Sequence, residues 1–304
     1  KPGGDMGPAV GYKNHIRALE NSKFSVTELT QEIWDDPGAF DQFDVAWAYV
    51  RFAPEILQRC QKIGMPFVGG PNIVMERADI GITDAWERWY LEESGVDVNL
   101  NVAEYYTTHV KQFAKGIKHC ETLEYCYELE GVAFDGAAKS VDCLVYVKDR
   151  INDGLATEIA KKLLALLKDA EMSYEMLIYG SYTRSEYLKI LKNSKTTAWI
   201  SIEDYCSLAQ TESNLLGSCV VGTKFNLTAP TFDEALCNDS QIMQNWVRWN
   251  DPTKVANDYF STISKLIKNE NLAKLTYDRA NERHSYQKYC TNVEAIFTQA
   301  GFIK

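Results

Sequence analysis

Residues 204–217 bring two carboxylates close to a predicted helix start. Ser207 and Gln210 have the spacing of a capping box, which places the first turn of a helix directly after Ser207. The free backbone N–H groups at such a helix start favour phosphate binding. Asp204 precedes the helix and Glu212 lies inside it. Because paired carboxylates accept hydrogen bonds from vicinal hydroxyls, the segment predicts a site for a ligand with phosphates and a ribose or hexose.

Basic residues and a glycine follow two earlier strand-like segments of the same half of the chain. Lys148 and Arg150 come after the apolar run 141–147. Gly180 ends the next run, 174–179. Ligands of open parallel sheets bind beyond the carboxyl ends of the strands. We therefore expect Lys148 and Arg150 to neutralise the negative charge that develops on a departing diphosphate.

Strand-like and helix-like segments alternate through the second half of the chain, which favours a parallel, doubly wound sheet. The predicted strands span residues 141–147, 174–179, 197–202 and 219–221, and the predicted helices span 155–167, 185–191 and 207–216. The C-terminal stretch of about 50 residues is also predicted to be helical.

The first half of the chain has a less regular pattern. It predicts strands at 24–29, 43–50, 66–68 and 123–127, and helices at 12–19, 54–63, 85–93 and 104–115. A composition change at 131–139 places the domain boundary between residues 136 and 137. The sequence therefore predicts an α/β protein with two Rossmann-like domains, 1–136 and 137–304, which face each other across a cleft, the second carrying the C-terminal helices.

The segment that runs from Asp204 through Glu212 to Gly217 resembles the signature of the group 1 (family 4-like) glycosyltransferases of GT-B fold. Their pattern is an acidic residue, seven others, a Glu, then a Gly five positions further on and a short apolar strand. Residues 179–195 are similar to the same family, and the resemblance covers most of residues 141–225. It implies transfer of a sugar from a nucleotide diphosphate sugar to an acceptor hydroxyl, with retention of the anomeric configuration.

The resemblance also implies a role for each matched residue. Glu212 would hold the ribose hydroxyls of the donor, and Asp204 would contact the transferred sugar. Lys148 and Arg150 would bind the pyrophosphate. The other donor-binding positions, at which the chain approaches the sugar and phosphates closely, are Tyr205, Cys206, Ser207, Gly180, Gly3 and Gly4. The chain has no Asp-x-Asp motif, which holds the metal in the other major glycosyltransferase fold, so we expect neither a metal nor another cofactor.

Charge and composition exclude several classes of partner. The net charge is −10, and the excess of acid lies in residues 1–136, which contain 12 Lys and Arg against 22 Asp and Glu; residues 137–304 contain 20 of each kind. Polyanion binding normally requires an excess of Lys and Arg, so nucleic acid is not an expected partner. No apolar run reaches about 18 residues, so we expect no transmembrane segment.

Cysteine usage and the N-terminal residues bear on location. None of the eight cysteines forms a Cys-x-x-Cys pair, and the histidines do not cluster with them, which disfavours a zinc site. Free thiols and the lack of an apolar signal sequence predict a cytoplasmic protein.

The acceptor, a glycan or small molecule, is assigned to the first domain. Arg51 follows the predicted strand 43–50, and His15 lies in the first helix, so both are candidate acceptor contacts.

Three rival functions remain open. A nucleotide-sugar epimerase on the same fold would consume the donor without an acceptor. A two-lobed sugar-binding protein would bind its ligand without a nucleotide. A non-catalytic glycosyltransferase subunit is suggested by Asp204, where the family usually has Glu, and by Tyr205-Cys206, where Phe-Gly is common.

Overall fold

The computed structural model describes residues 8–49, 51–71, 84–129, 131–149, 154–201, 208–223, 235–238 and 251–303. The chain divides into two compact units. The first consists of Lys1–Cys126 and Ser285–Lys304, and the second is Tyr127–His284.

The division differs from the predicted boundary at 136/137 in two ways. Leu129 and Val132 pack against the core of the second unit, so the segment before residue 136 already belongs to that unit. The C-terminal helix returns to the first unit, where Tyr289, Val293 and Phe297 join its core. Buried apolar side chains, which composition alone does not reveal, explain both differences.

The first unit has a four-stranded parallel sheet. Its strands are β1 (Ala46–Ala48), β2 (Phe67–Gly69), β3 (Val96–Asn101) and β4 (Ile117–Thr122), and they lie side by side in the order β1-β2-β3-β4. Its described helices are α1 (Pro8–Glu20), α2 (Gln31–Asp35), α3 (Pro37–Phe40), α4 (Pro54–Ile63), α5 (Ala85–Glu92), α6 (Glu104–Lys111) and the C-terminal α12 (Tyr286–Gln299).

Two cores cover the two faces of this sheet. On one face, Val98 and Leu100 of β3 pack with Leu19 of α1 and Val293 of α12. The other core joins Phe67 of β2 to buried residues of the crossover helices, namely Leu57 of α4, Tyr90 of α5 and Val110 of α6.

The second unit has a five-stranded parallel sheet. Its strands are β5 (Val141–Lys148), β6 (Tyr174–Ile178), β7 (Ser194–Ser201), β8 (Cys219–Thr223) and β9 (Leu236–Asn238), and their order is β6-β5-β7-β8-β9. Its described helices are α7 (Leu155–Asp169), α8 (Arg184–Asn193), α9 (Leu208–Leu215), α10 (Pro252–Leu266) and α11 (Leu272–His284). The order reverses at β5, because the chain goes from β5 to β6 on one side and then to β7 on the other.

Local sequence explains the elements that were predicted with accurate ends. Helix α4 spans the predicted residues, with Pro54 in its first turn and Gly64 in the left-handed conformation just beyond its end. Strand β5 is an almost continuous apolar run, as a strand covered on both faces requires. In the part of the chain that the structure describes, no helix is long and apolar enough to cross a membrane.

Two strands predicted in the first half are wrong. Residues 24–29, which are partly buried at Phe24 and Val26, and residues 123–127, which are buried in places, form no ladder. Phe24 pairs with the ring of Phe297 in the core, and Leu123 is buried in the same core. Their apolar patterns therefore report burial rather than strand pairing. The strands β3 and β4, which the pattern did not predict, complete the sheet instead.

Candidate functional site

The strand order of the second unit places a ligand-binding edge between β5 and β7. Lys148, the last residue of β5, is the register partner of Ser201, the last residue of β7, so both strands end at the same level. Helices α8 and α9 follow β6 and β7 and begin at this edge. Ligands of doubly wound sheets bind outside the carboxyl ends of the strands, at the point where the strand order reverses.

Two charged residues end β5 at this point. The side chain of Lys148 is buried, and its Nζ lies 4.8 Å from the ring centre of Tyr179, which follows β6. Asp149 comes next, and its Oδ1 is buried without a hydrogen-bond partner among the described residues. Since buried acceptors in native proteins almost always have a donor, the end of β5 has hydrogen-bonding capacity left for a ligand.

A buried carboxylate on α9 is the centre of a hydrogen-bond network. Glu212 is only 4% exposed, and Arg184 at the start of α8 donates to both of its oxygens, from Nη1 to Oε2 at 2.7 Å and from Nη2 to Oε1 at 2.6 Å. Tyr127 donates its hydroxyl to Oε1 of Glu212 and accepts from Nη2 of Arg184 at 3.1 Å. The paired geometry is the strong, directional form of an arginine–carboxylate contact.

The exposure of the two charges differs. The Arg184 side chain is 46% exposed, against 6% for that of Glu212, so the guanidinium is the part of the pair that reaches the surface. Burial, helped by the charge of Glu212, raises the pKa of Tyr127 far above its usual range, so the hydroxyl remains a donor. A carboxylate offers about four acceptor positions. Arg184 and Tyr127 occupy three of them, which leaves one acceptor position, on Oε2.

Aromatic contacts fix the turn between β6 and α8. The hydroxyls of Tyr182 and Tyr146 lie 2.6 Å apart, and the Tyr182 ring stacks on Tyr187 with 5.3 Å between centres. Gly180 has φ +85°, and no atom lies within 4 Å of where a Cβ would be. Glycine is therefore needed at position 180 because of the backbone conformation, and not because a side chain would lack space.

Helix α9 is unusual because its buried residues are mostly polar. They are Gln210, Thr211, Glu212, Ser213, Asn214 and Leu215. Asn214 accepts a hydrogen bond from the backbone of Val220, which ties the helix to β8. Gly217, just past the helix, has φ +71°, and a Cβ there would lie 2.7 Å from the Phe134 ring. Both the positive φ and the close Phe134 ring therefore favour glycine at position 217 of the sequence signature.

The structure brings together three of the predicted site residues and leaves others apart. Lys148, Gly180 and Glu212 all lie at the carboxyl edge of the second sheet. Arg51 and His15 lie in the first unit. The remaining predicted residues, Gly3, Gly4, Arg150, Asp204, Tyr205, Cys206 and Ser207, lie outside the described residues.

The two candidate acceptor contacts have protein partners. Arg51 pairs with Asp84 at 2.8 Å and with Glu87 at 3.2 Å, and its side chain is half exposed. His15 is buried, and its Nδ1 lies 2.6 Å from the hydroxyl of Tyr289. Burial lowers the pKa of His15 to about 3, so the imidazole is neutral at physiological pH.

Sequence reasoning missed Arg184 and Tyr127, and it gave Asp149 no role. One signal was available for Arg184. Thr183 and Glu186 form a complete capping box, which begins α8 at Arg184 rather than at the predicted residue 185. Tyr127 lies 85 residues from Glu212 in sequence, and no local pattern connects them.

The structure describes no cluster of three or more His, Cys, Asp or Glu side chains that could hold a metal ion. Six of the eight cysteines have described side chains, and these six are all buried and form no disulfide: Cys60, Cys120, Cys126, Cys143, Cys219 and Cys290.

No protein-family profile and no curated protein sequence matches the chain. Solved structures do match its fold. They include the pneumococcal O-GlcNAc transferase GtfA, in complex with UDP and GlcNAc, with a TM-score of 0.54 and 14% identity, over 81% of this chain and 54% of GtfA. HepE of Anabaena, in complex with UDP and glucose, matches with a TM-score of 0.55 and 9% identity, over 86% of this chain and 80% of HepE.

An α,α-trehalose-phosphate synthase (UDP-forming) from Burkholderia vietnamiensis matches with a TM-score of 0.54 and 8% identity, over 97% of this chain and 86% of the synthase. The chain spans about half the length of GtfA and most of the length of the other two. These structures are GT-B glycosyltransferases with two Rossmann-like domains, which confirms the predicted α/β fold with two parallel sheets. At such low identity, the likeness concerns the fold alone.

Proposed function

We propose that the protein is a glycosyltransferase that moves a sugar from a nucleoside diphosphate sugar to an acceptor hydroxyl, with retention of configuration and without a metal, in the cytoplasm. The observation that carries the proposal is the polar edge between β5 and β7, where Lys148, Asp149 and the buried Glu212 lie at the reversal of strand order. GtfA and HepE, which share the fold, were solved with UDP and a sugar.

The donor is assigned to the second unit. Lys148, with Arg150, binds the diphosphate and stabilises its charge as it departs. Glu212 accepts a hydrogen bond from a ribose hydroxyl, and Arg184 and Tyr127 hold its carboxylate in place. By the family resemblance, Asp204 is assigned to the transferred sugar, and Tyr205, Cys206, Ser207, Gly180, Gly3 and Gly4 are the other proposed donor contacts.

The acceptor, a glycan or a small molecule, is assigned to the first unit. Its candidate contacts remain Arg51 and His15, although the described partners of His15 are those of a core residue. Catalysis comes mostly from positioning the two substrates and from stabilising the departing diphosphate.

The first test is thermal stabilisation by UDP, GDP, ADP, dTDP and CMP, each with EDTA and with Mg²⁺. A nucleotide that binds only the folded protein adds about 2.7 kcal/mol of stability at a hundredfold excess over its Kd. We expect one diphosphate to stabilise the protein equally in both buffers. A response that requires Mg²⁺ contradicts metal independence. A protein that responds to free sugars but to no nucleotide is a sugar-binding protein instead.

The second test distinguishes sugar transfer from epimerisation and from nucleotide binding alone. With the matching nucleotide sugar, we expect release of nucleoside diphosphate that rises when a sugar acceptor is added, and the anomeric proton coupling of the product reports retention. Conversion of the donor without an acceptor indicates an epimerase. Tight nucleotide binding without turnover for any acceptor indicates a non-catalytic subunit.

A further inference from the structure

A chain of three buried side chains in the first unit ends in a donor for which the described residues supply no acceptor. The hydroxyl of Tyr90 donates to Oδ1 of Asn99 at 2.8 Å, and Nδ2 of Asn99 donates to Oδ1 of Asn101 at 3.2 Å. Asn101 is 3% exposed, and its Nδ2 has no hydrogen-bond partner among the residues that the structure describes. A buried amide donor of this kind is rare in native proteins, so it calls for a partner that the protein itself does not supply.

The surrounding residues hold these three side chains, the Tyr90–Asn99–Asn101 relay, in place. Tyr90 is fully buried and stacks on Trp86, with the ring centres 5.4 Å apart and the planes at 6°. A Cβ on Gly69 would lie 2.1 Å from the Tyr90 hydroxyl, so glycine at this position leaves the space that the hydroxyl occupies. Burial raises the pKa of Tyr90 well above its usual value, so it stays a donor and fixes Asn99 with its amide nitrogen toward Asn101.

The relay leads to the carboxyl edge of the first sheet. Asn101 is the last residue of β3, and its register partner Thr122 is the last residue of β4. Helix α6 begins nearby at Glu104. The Asn101 amide therefore lies at the carboxyl ends of β3 and β4, from which helix α6 and the other crossover connections of this sheet depart.

The charges at this edge disfavour an anion. Oε2 of Glu104 accepts a hydrogen bond from Thr122 at 2.8 Å, which places a carboxylate beside the neighbouring strand end. Asp84 and Glu87 lie at the start of α5, and Arg51 pairs with both. An amide N–H needs an acceptor, and a hydroxyl accepts from it while remaining able to donate to a carboxylate. A neutral ligand with hydroxyl groups can therefore accept from the Asn101 amide and donate to a nearby carboxylate.

We infer that Asn101 binds a hydroxyl oxygen of a neutral saccharide at the carboxyl edge of the first sheet, with Tyr90 and Asn99 as positioning residues. The identification of this saccharide as the acceptor rests on the proposed function. The inference adds to that function a ligand class, neutral rather than phosphorylated sugars, and a residue that selects it.

The experiment measures saccharide binding by saturation-transfer NMR. The probes are methyl β-glucoside, N-acetylglucosamine and, as the anionic comparison, glucose 6-phosphate. The variant Asn101→Asp keeps an oxygen for Asn99 but removes the free donor. Asn21→Asp, at an exposed asparagine of the same unit, is the matched control. Loss of one hydrogen bond to a ligand hydroxyl corresponds to about tenfold in affinity.

We expect a neutral probe to bind the native protein and the control about tenfold more tightly than it binds Asn101→Asp, and more tightly than glucose 6-phosphate binds the native protein. Tyr90→Phe, which keeps the ring and removes the first donor of the relay, weakens binding by about threefold and serves if Asn101→Asp does not fold. The inference is overturned if no neutral probe binds, if both variants bind like the native protein, or if glucose 6-phosphate binds best.

The nucleotide response of the same proteins separates this inference from the proposed function. We expect UDP, or whichever diphosphate stabilises the native protein, to stabilise Asn101→Asp and Tyr90→Phe equally. If saccharides bind through Asn101 but no nucleotide stabilises the native protein, the proposed function fails and the saccharide site stands. If nucleotides bind but the saccharide results are negative, only the saccharide site fails.

Discussion

The two sheets of this protein use the same parallel strands but differ in strand order. The described strands of the first unit lie in the order in which the chain makes them, whereas those of the second unit reverse at β5. In a reversed order the crossover connections pass to opposite faces of the sheet and leave a crevice at the strand ends. Two similar parts of one chain can thereby acquire different ligands.

The two carboxyl edges also differ in the charges of their described side chains. At the edge of the second sheet, two cations, Lys148 and Arg184, stand against three acids, Asp149, Glu186 and Glu212. At the edge of the first sheet there are also three acids, of which Asp84 and Glu87 pair with Arg51 and Glu104 accepts a hydrogen bond from Thr122. A diphosphate therefore favours the second edge, and a neutral hydroxylated molecule favours the first.

The largest effect is expected from removal of the positive charge at the end of β5. Lys148→Met keeps the apolar stem and should weaken binding of the diphosphate by about 100-fold, because a charge-assisted hydrogen bond to phosphate is worth about 2–3 kcal/mol. Lys195→Met is the matched control, since Lys195 lies at the amino end of the same sheet and pairs with Asp142. Isothermal titration of both variants measures the difference. Equal affinities would place the diphosphate elsewhere.

A smaller effect is expected on the pH dependence of stability, which should differ between the two units. The folded-state pKa of His15 is lowered to about 3 by burial, so the unfolded chain takes up a proton below pH 6.5 and the native first unit does not. Stability of that unit therefore falls as the pH drops from about 6.5 toward 3, by about 1.4 kcal/mol per pH unit, or about 2 kcal/mol at pH 5.

Hydrogen exchange resolves this loss by region. We expect the opening free energy of α1 to fall between pH 6.5 and 5 in the native protein and to change less in His15→Gln, whose amide can still bond to Tyr289. Helix α7 of the second unit serves as the internal reference. If His15→Gln leaves the pH slope of α1 unchanged, the buried neutral histidine is not its cause.

The smallest expected effect is a difference in coupling energy between two ion pairs, one from each edge, measured by double-mutant cycles. In the second unit, Arg184→Ala and Glu212→Ala should show a coupling energy of about 1.5 kcal/mol, because Glu212 is buried and bonded through both oxygens. In the first unit, Arg51→Ala and Asp84→Ala should show a clearly smaller coupling, because both side chains are partly exposed, Arg51 by 50% and Asp84 by 37%. Chemical denaturation measures both cycles. Equal couplings would contradict the assignment of the Glu212 pair as the more buried one.

The second unit was the easier one to predict from sequence because its strands are buried on both faces. Continuous apolar runs such as residues 141–147 indicate a strand without further context, and the helix predicted at 207–216 is found at Leu208–Leu215. In the first unit β3 was missed, although Val96, Val98 and Leu100 alternate. Two of its three other residues, Asn99 and Asn101, are polar yet buried, and their hydrogen bonds with Tyr90 and with each other form only in the folded unit.

The candidate site was predictable to a similar, limited depth. The positions of Lys148 and Glu212 at a strand end and inside a helix followed from local patterns. The partners of Glu212 did not, because Tyr127 and Arg184 are distant in sequence and meet it only in the folded unit. Hydrogen-bond networks of this kind depend on side-chain geometry across several elements, which periodicity does not encode.

The central claim is that the diphosphate of the donor binds at the carboxyl edge between β5 and β7. A crystal structure of the protein with the nucleoside diphosphate that stabilises it most tests this claim directly. We expect phosphate density beyond the ends of β5 and β7, with Nζ of Lys148 within hydrogen-bond distance and a ribose hydroxyl on Oε2 of Glu212. Phosphate density at the ends of β1–β4, beside Asp84 and Glu104, would contradict it.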